Sequence, residues 1–160
     1  MEQTRHGESM EQLKRFFSAE DKFARHNGIE LLEVADGWAR ACMEIFPYHL
    51  NGAKTVHGGA IFTLADFAFA VASNSHGTLA MGINTTVSFV KAAIKGTLYA
   101  EARELALNSK LATYQVLVTD DAKAVIALFQ GTVYRKKESL IPPDFFQGSA
   151  DDLGRNLHED

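Results

Sequence analysis

The sequence predicts an α+β chain in which a curved antiparallel β-sheet wraps one long central α-helix, and three observations carry that prediction. The stretch from His57 to Gly77, HGGAIFTLADFAFAVASNSHG, is apolar around nearly its whole circumference when wound at about 100° per residue, which marks an enclosed helix. Alternating apolar runs separated by turn residues flank it, two before and four after. The later runs follow one another too closely for crossover helices, so they must be antiparallel, and a single sheet has to curl around the helix to cover it.

Taken in order, SMEQLKRFF from Ser9 to about Phe17 puts Met10, Leu13 and Phe17 on one helical face, with Ser9 as its N-cap. AEDKFARHNG reads as a second short helix ending at Gly28, where a left-handed cap costs least. Residues 1–28 are thus expected to form a helical flank. IELLEVADGWARACMEIF alternates about Ala35-Asp36-Gly37, a hairpin signal, and PYHLNGAKTVHGG is a loop by its proline, asparagine and glycines. After Gly77 come AMGINTTVSFVKAA, GTLYAEARELALN, LATYQVLVTDD and KAVIALFQGTVYRKK, expected to pair as consecutive neighbours. Residues 29–138 then make one domain, and the tail 139–160, with paired prolines and an acidic end, an extended arm.

Composition narrows the function. The 160 residues are 46% apolar and 22% charged, the balance of one globular domain. At a formal charge of −4, with YRKK as its densest basic run, the chain lacks a footprint for nucleic acid. Cys42 is the single cysteine, so neither an internal disulfide nor a thiolate zinc cluster can form; it reads as a small core residue in a reducing, cytoplasmic compartment. The N-terminus lacks the apolar segment of a secretory signal, and the apolar helix, shorter than the ~20 residues a bilayer needs, carries a central charge, so no membrane partner is expected. His57 and His76 have no ligand cluster around them, so no metal or cofactor is expected.

That central charge is Asp66. Desolvation penalises an ionised carboxylate, so a chain that keeps one in its core helix must pair it or use it. Asp66 shares a sector with Phe62 and Ser73, and the ordinary reading is a hydrogen bond to Ser73 or to loop amides. Gly58 and Gly59 at the helix start leave first-turn N–H groups bare, ready for an anion or a developing oxyanion. Asn51 and His57, just before them, could align a carbonyl or simply hold the loop. Gly58 and Asp66 stand eight residues apart, roughly 12 Å along the axis. They cannot reach one carbon from the same helix. If both act on one substrate, the amide comes from one subunit and the carboxylate from a partner, across an antiparallel helix pair in a two-fold dimer.

NGAKTVHGGAIFTLADFAFAVASNS, continued through NTTVSFVKAAIKGTLYAEAREL and ALFQGTVYRKK, resembles the hotdog-fold acyl-CoA thioesterases of the phenylacetate-degradation, PaaI-like type, from about Gly28 to Lys137. The resemblance implies the hotdog fold, edge-to-edge homodimers often paired into tetramers, and an acyl-CoA substrate. It implies Asp66 as nucleophile or general base, the Gly58 amide as oxyanion donor, Asn51 and His57 as site-forming loop residues, and Gly59, Asn84, Thr85 and Lys91 in substrate binding, Asn84 and Thr85 facing the opposing carboxylate. Lys91-Ala92 stands where such proteins often carry Arg-Pro, which keeps the charge but not a bidentate fork. Two alternatives stay open: a non-catalytic acyl-CoA sensor, and a hydratase or dehydratase using a histidine beside a carboxylate. Phe46, Phe67, Phe69 and Phe89 could line an aryl or an alkyl pocket, or pack in the core.

Overall fold

The chain runs α1 (Glu2–Glu20), α2 (Lys22–His26), β1 (Ile29–Ala35), β2 (Trp38–Glu44), a 3-10 turn (Pro47–His49), α3 (Gly58–Asn74), β3 (Thr78–Phe89), β4 (Thr97–Leu107), β5 (Leu111–Thr119) and β6 (Val125–Ser139). These come from a computed structural model that describes residues 2–146, so the expected tail beyond Phe146 lies outside the described residues. All six strands join one antiparallel sheet in the order β1-β2-β4-β5-β6-β3, curved over α3. The predicted sequence of two strands, one helix and four strands is the one observed.

Two local expectations need correction. α1 begins at Glu2, a full two turns before Ser9, so Ser9 lies within the helix rather than capping it. The cap chemistry is used at the next helix instead, where Asp21 accepts from the Ala24 N–H at 2.9 Å and α2 ends before Gly28, whose φ is +68°. The second correction concerns strand order. β3 does not pair with β4; it runs along the far edge against β6, while β4 pairs with β2. The connection 90–96 spans the intervening strands without a helix, since seven extended residues reach about 23 Å and three strand spacings need about 14 Å. It is pinned by the Val56 N–H donating to the Ala93 carbonyl and the Ile45 N–H donating to that of Gly96, both at 2.8 Å.

The core lies between the concave sheet face and α3. Leu64, Ala65, Ala68, Val71 and Ala72 are sealed from solvent, packed against Ala100, Ala102, Val116 and Val118 of the central strands. Each large apolar side chain so enclosed contributes about 1.5–3 kcal/mol, and the small alanines of β2 and β4 let the helix settle close. The flank covers a further side: Leu13 and Phe17 are buried, Phe17 edge-on to Phe67 at 5.9 Å. Cys42 departs from expectation. It is half-exposed between the buried Ala41 and Met43, and partial burial raises its thiol pKa.

Phe69 reaches through α3 to the sheet and rests on backbone. A Cβ on Gly131 would stand 2.6 Å from the Phe69 ring, and one on Gly82 3.3 Å. Gly131→Ala therefore forces the ring aside within a cluster that also holds Tyr114 and Phe129. We expect it to lower unfolding free energy by about 1–3 kcal/mol in urea titration; an unchanged midpoint would show that the ring moves freely.

β3 carries an irregularity that decides what faces α3. The register passes from Gly82↔Val133 directly to Asn84↔Thr132, leaving Ile83 as an unpaired bulge residue. Before the bulge, Ala80 and Gly82 face the helix; after it, Thr85, Val87 and Phe89 do, opposite Gly131, Phe129 and Ala127.

Candidate active site

One stripe of α3 stays uncovered by the sheet. Phe62, Thr63, Asp66 and Ala70 along it are only half-buried, so the helix is not enclosed all round within one protomer. Asp66 opens from this stripe into a groove of about 490 Å³ between α3 and β3, shared with Phe62, Ser73, Asn84 and Thr85. The bulge is what brings the Thr85 side chain to this face. Asn84 and Thr85 thus stand in the groove into which the chain's own Asp66 opens.

Asp66 has no hydrogen bond or ion pair among the described residues. The ordinary reading, a bond to Ser73, is not what forms: the Ser73 hydroxyl donates to the Ala70 carbonyl at 3.1 Å. Burial, and then the nearby Asp21 carboxylate, push the Asp66 carboxyl above the usual carboxylate range. Asp21 caps α2. The flank therefore reaches the electrostatics of α3, an effect that no local sequence signal announces.

At the other end of the helix, Gly58 opens into a separate groove of about 340 Å³ with Val56, Ile61, Phe89 and Lys91 in its wall. The helix N-terminus is wired so that one amide is left over. His57 is the N-cap: its Nδ1 accepts from the Gly59 N–H at 2.8 Å, and its carbonyl accepts from Ala60 and Ile61. The Gly58 N–H has no acceptor among the described residues. Gly59, named beside it from sequence, has its amide occupied. A Cβ on Gly58 would lie 3.1 Å from the Phe89 ring, so that ring stands directly over the glycine.

The loop before the helix is held from within. Asn51 Oδ1 accepts from Ala53 N–H at 2.9 Å and Thr55 N–H at 3.2 Å, and its Nδ2 donates to the Thr55 hydroxyl at 3.0 Å. The His57 N–H donates to the carbonyl of the buried His49 at 2.8 Å, fixing the approach to α3. Asn51 thus supports the loop. Lys91, in the wall of the Gly58 groove, reaches Asp120 at 3.3 Å. Of the four phenylalanines, Phe67 and Phe69 are core residues, whereas Phe46 and Phe89 are exposed.

A second ionisable cluster lies past the helix C-terminus, roughly 25 Å from Gly58. There Glu104 accepts from Tyr114 and pairs with His76 at 2.7 Å, and burial raises the phenol pKa. The close histidine-carboxylate pair that a hydratase would use lies at the far end of α3 from the Gly58 groove, and neither His76 nor Glu104 lines either groove. Among the described residues no group of three or more His, Cys, Asp or Glu could hold a metal, and no helix is long and apolar enough to cross a membrane.

These features can be set beside known proteins. A family model described as Thioesterase superfamily matches residues 53–127, a span that includes α3, the bulged strand, Gly58 and Asp66. Acyl-coenzyme A thioesterase PaaI of Escherichia coli is 33% identical over 116 residues, covering 72% of this chain and 83% of its own. The chain belongs to the thioesterase superfamily, in its PaaI-like group. A relative from Archaeoglobus fulgidus, described as "Putative esterase", is 44% identical over 134 residues, covering 83% of this chain and 87% of its own. The solved structure of the E. coli PaaI protein superposes with a TM-score of 0.80 at 29% identity, over 82% of this chain and 96% of that one. This thioesterase accordingly has the hotdog fold and is a thioester hydrolase. Among the described residues, α3 of its sheet-wrapped core carries an unpaired amide at its tip and an unpaired acid at its midpoint.

Proposed function

We propose that this PaaI-like thioesterase hydrolyses acyl-CoA to the free acid and CoA at a site shared between two protomers. The observation that carries the reading is the separation of two otherwise idle groups: the Gly58 amide and the Asp66 carboxylate open into different grooves of one protomer. Neither groove holds both the donor and the acid that thioester hydrolysis needs. A two-fold dimer with antiparallel α3 helices supplies each groove with the missing half. Two features support such pairing: the uncovered stripe of α3, and β3 as an open sheet edge bearing the exposed Met81, Ile83 and Phe89, with exposed Val90 just past its end. A sheet edge with unpaired N–H and C=O groups and exposed apolar side chains is a template for a second copy.

The thioester carbonyl oxygen would accept from the Gly58 N–H, whose hydrogen bond strengthens as the oxygen gains charge; one such donor is worth about 3 kcal/mol in the transition state. The partner's Asp66 then takes a proton from water as the water oxygen attacks the carbonyl carbon, or attacks it directly to give an anhydride that water cleaves. In either route the C–S bond breaks, CoA leaves as thiolate, and the proton released from water ends on the thiolate sulfur. Asn51 and His57 hold the donor in place, Asn84 and Thr85 flank the acid, and Lys91 offers its charge to substrate phosphate. The helical flank 1–28 adds Asp21 to the surroundings of the acid; 29–138 is the catalytic unit and 139–160 a tail.

Thiol release from a panel of acyl-CoAs tests the activity, and subunit mixing tests the site. Asp66→Asn and Gly58→Val, each inactive alone, should regain about one quarter of wild-type activity when co-refolded in equal amounts, because half the dimers carry one intact composite site. No recovery in mixed dimers would place both groups in one subunit's site.

A further inference from the structure

The Asp66 groove has one closed end. It runs along α3 from Phe62 past Asp66 and Ala70 to Ser73, and along β3 in the opposite sense from Thr85 back to Ala80, so Ser73 and Ala80 lie together at the end away from Phe62. There one side chain joins helix to strand. Asn74 Oδ1 accepts from the Ala80 N–H at 2.9 Å, while its Nδ2 donates to the Ala80 carbonyl at 3.2 Å and to the Ala70 carbonyl at 2.9 Å. Asn74 is 3% exposed, and a buried amide is costly unless both its polar atoms are engaged, as they are here.

Behind this staple lies a second room. A cavity of about 330 Å³ has Asn74, Ser75 and Gly77 on one side, Leu13 of α1 on another, and residues 140–143 across it. Its wall and that of the Asp66 groove have no residue in common. Asn74 stands between them: it lines the rear room, and its bonding partner Ala80 lines the groove. Leu13, Leu140, Ile141 and Pro142 make much of the rear room apolar.

Charge decides which part of the substrate takes the groove. Among the described residues lining it, Asp66 is the one ionisable group, and Phe62, Phe69, Met81 and Val133 are apolar, whereas the Gly58 groove carries Lys91. On the acyl-CoA reading, the anionic handle therefore lies on the Gly58 side, and the acyl chain runs from the carbonyl at Asp66 towards Ser73. Asn74 follows Asp66 by eight residues, roughly 12 Å along the helix. An extended chain starting at the carbonyl meets the staple after about eight carbons.

We infer that Asn74 is a specificity-determining partition, which ends the acyl room at medium chain length and shuts the rear cavity off from it. The inference rests on the acyl-CoA reading for what occupies the groove.

Binding of S-alkyl-CoA thioethers, which cannot be hydrolysed, reads the partition without turnover. In the wild type each added methylene should tighten binding about fourfold up to about eight carbons, and further carbons should add nothing or weaken it. Asn74→Ala should move that break beyond about twelve carbons by opening the rear room, and kcat/KM on acyl-CoAs should follow the same shift, with butanoyl-CoA turned over as before. Alanine also strips partners from Ala80, so Asn74→Ser is the companion variant: it opens the same path while its hydroxyl can still bond the Ala70 carbonyl. Ser73→Leu leaves the staple intact, fills the groove end, and should pull the break down by about three carbons. A break at the same length in the wild type and in the Asn74 variants overturns the partition, as does wild-type affinity that climbs past about twelve carbons or does not respond to length. Should the wild type bind the thioethers with the expected break yet cleave no thioester, the hydrolase reading alone fails and the partition stands.

Discussion

Asp66→Asn loses thioester hydrolysis by about 10³-fold in kcat while the protein remains folded. The amide keeps the shape of the carboxyl but can neither accept a proton nor attack a carbonyl, so the loss measures the chemistry rather than the packing. Stability should move the opposite way. Burial and Asp21 raise the carboxyl pKa in the native state, so the folded chain holds this proton more tightly than the unfolded chain does. The unfolded carboxyl therefore ionises first as pH rises, and from the unfolded pKa upward the native state is penalised until the folded pKa is passed, beyond which the penalty is constant. Asp66→Asn should thus be the more stable protein in urea at neutral pH, with the advantage vanishing below the ordinary carboxylate range. The wild-type kcat/KM profile should have its acid limb above that range, since only the ionised form works. Full turnover by the asparagine variant would remove the carboxylate from the mechanism.

Gly58→Val should cost about 10²- to 10³-fold in kcat, the scale set by an oxyanion donor. Valine keeps the amide, so the loss tests the space in front of it. Even the first added carbon meets Phe89 at 3.1 Å, and the two methyls beyond it occupy the room a carbonyl oxygen needs. Since Phe89 is a half-exposed side chain at the end of β3, its ring can swing outward and the fold should survive, which far-UV circular dichroism and Tm would verify. A truncation of the ring, Phe89→Ala in the Gly58→Val background, should restore little, because the obstruction is at the amide itself. Strong rescue would instead make the ring the important element.

Much of this was legible before the fold was known, and the reasons differ by element. α3 announced itself because enclosure leaves a composition no surface helix can have, and the Asp36-Gly37 hairpin because Gly37 carries the left-handed backbone its turn needs. The strand order was not legible. A seven-residue connection can close on a neighbour or cross three positions, and only the demand that β2 and β4 pair over the alanine-lined side of α3 selects the second. Asn51 and His57 were legible with two readings, aligning a carbonyl or holding the loop; their side chains hold the loop and cap the helix, and that wiring leaves the Gly58 N–H without an acceptor among the described residues. Asp21 and the Lys91–Asp120 pair were invisible because each is a meeting of segments distant in the chain.

The extra residue Ile83 has a consequence for how this chain can change. Because it shifts the phase of β3, the strand's first half offers Gly82 to the ring of Phe69, and its second half offers Thr85 to the acid and Phe89 to the helix tip. Removing that single residue would join Gly82↔Val133 to Asn84↔Thr132 without a break and leave Thr85, Val87 and Phe89 on the helix face, whereas losing any one residue between Asn84 and Phe89 would turn the remainder of the strand over. Length variation in this edge strand is therefore cheap at the bulge and costly beyond it.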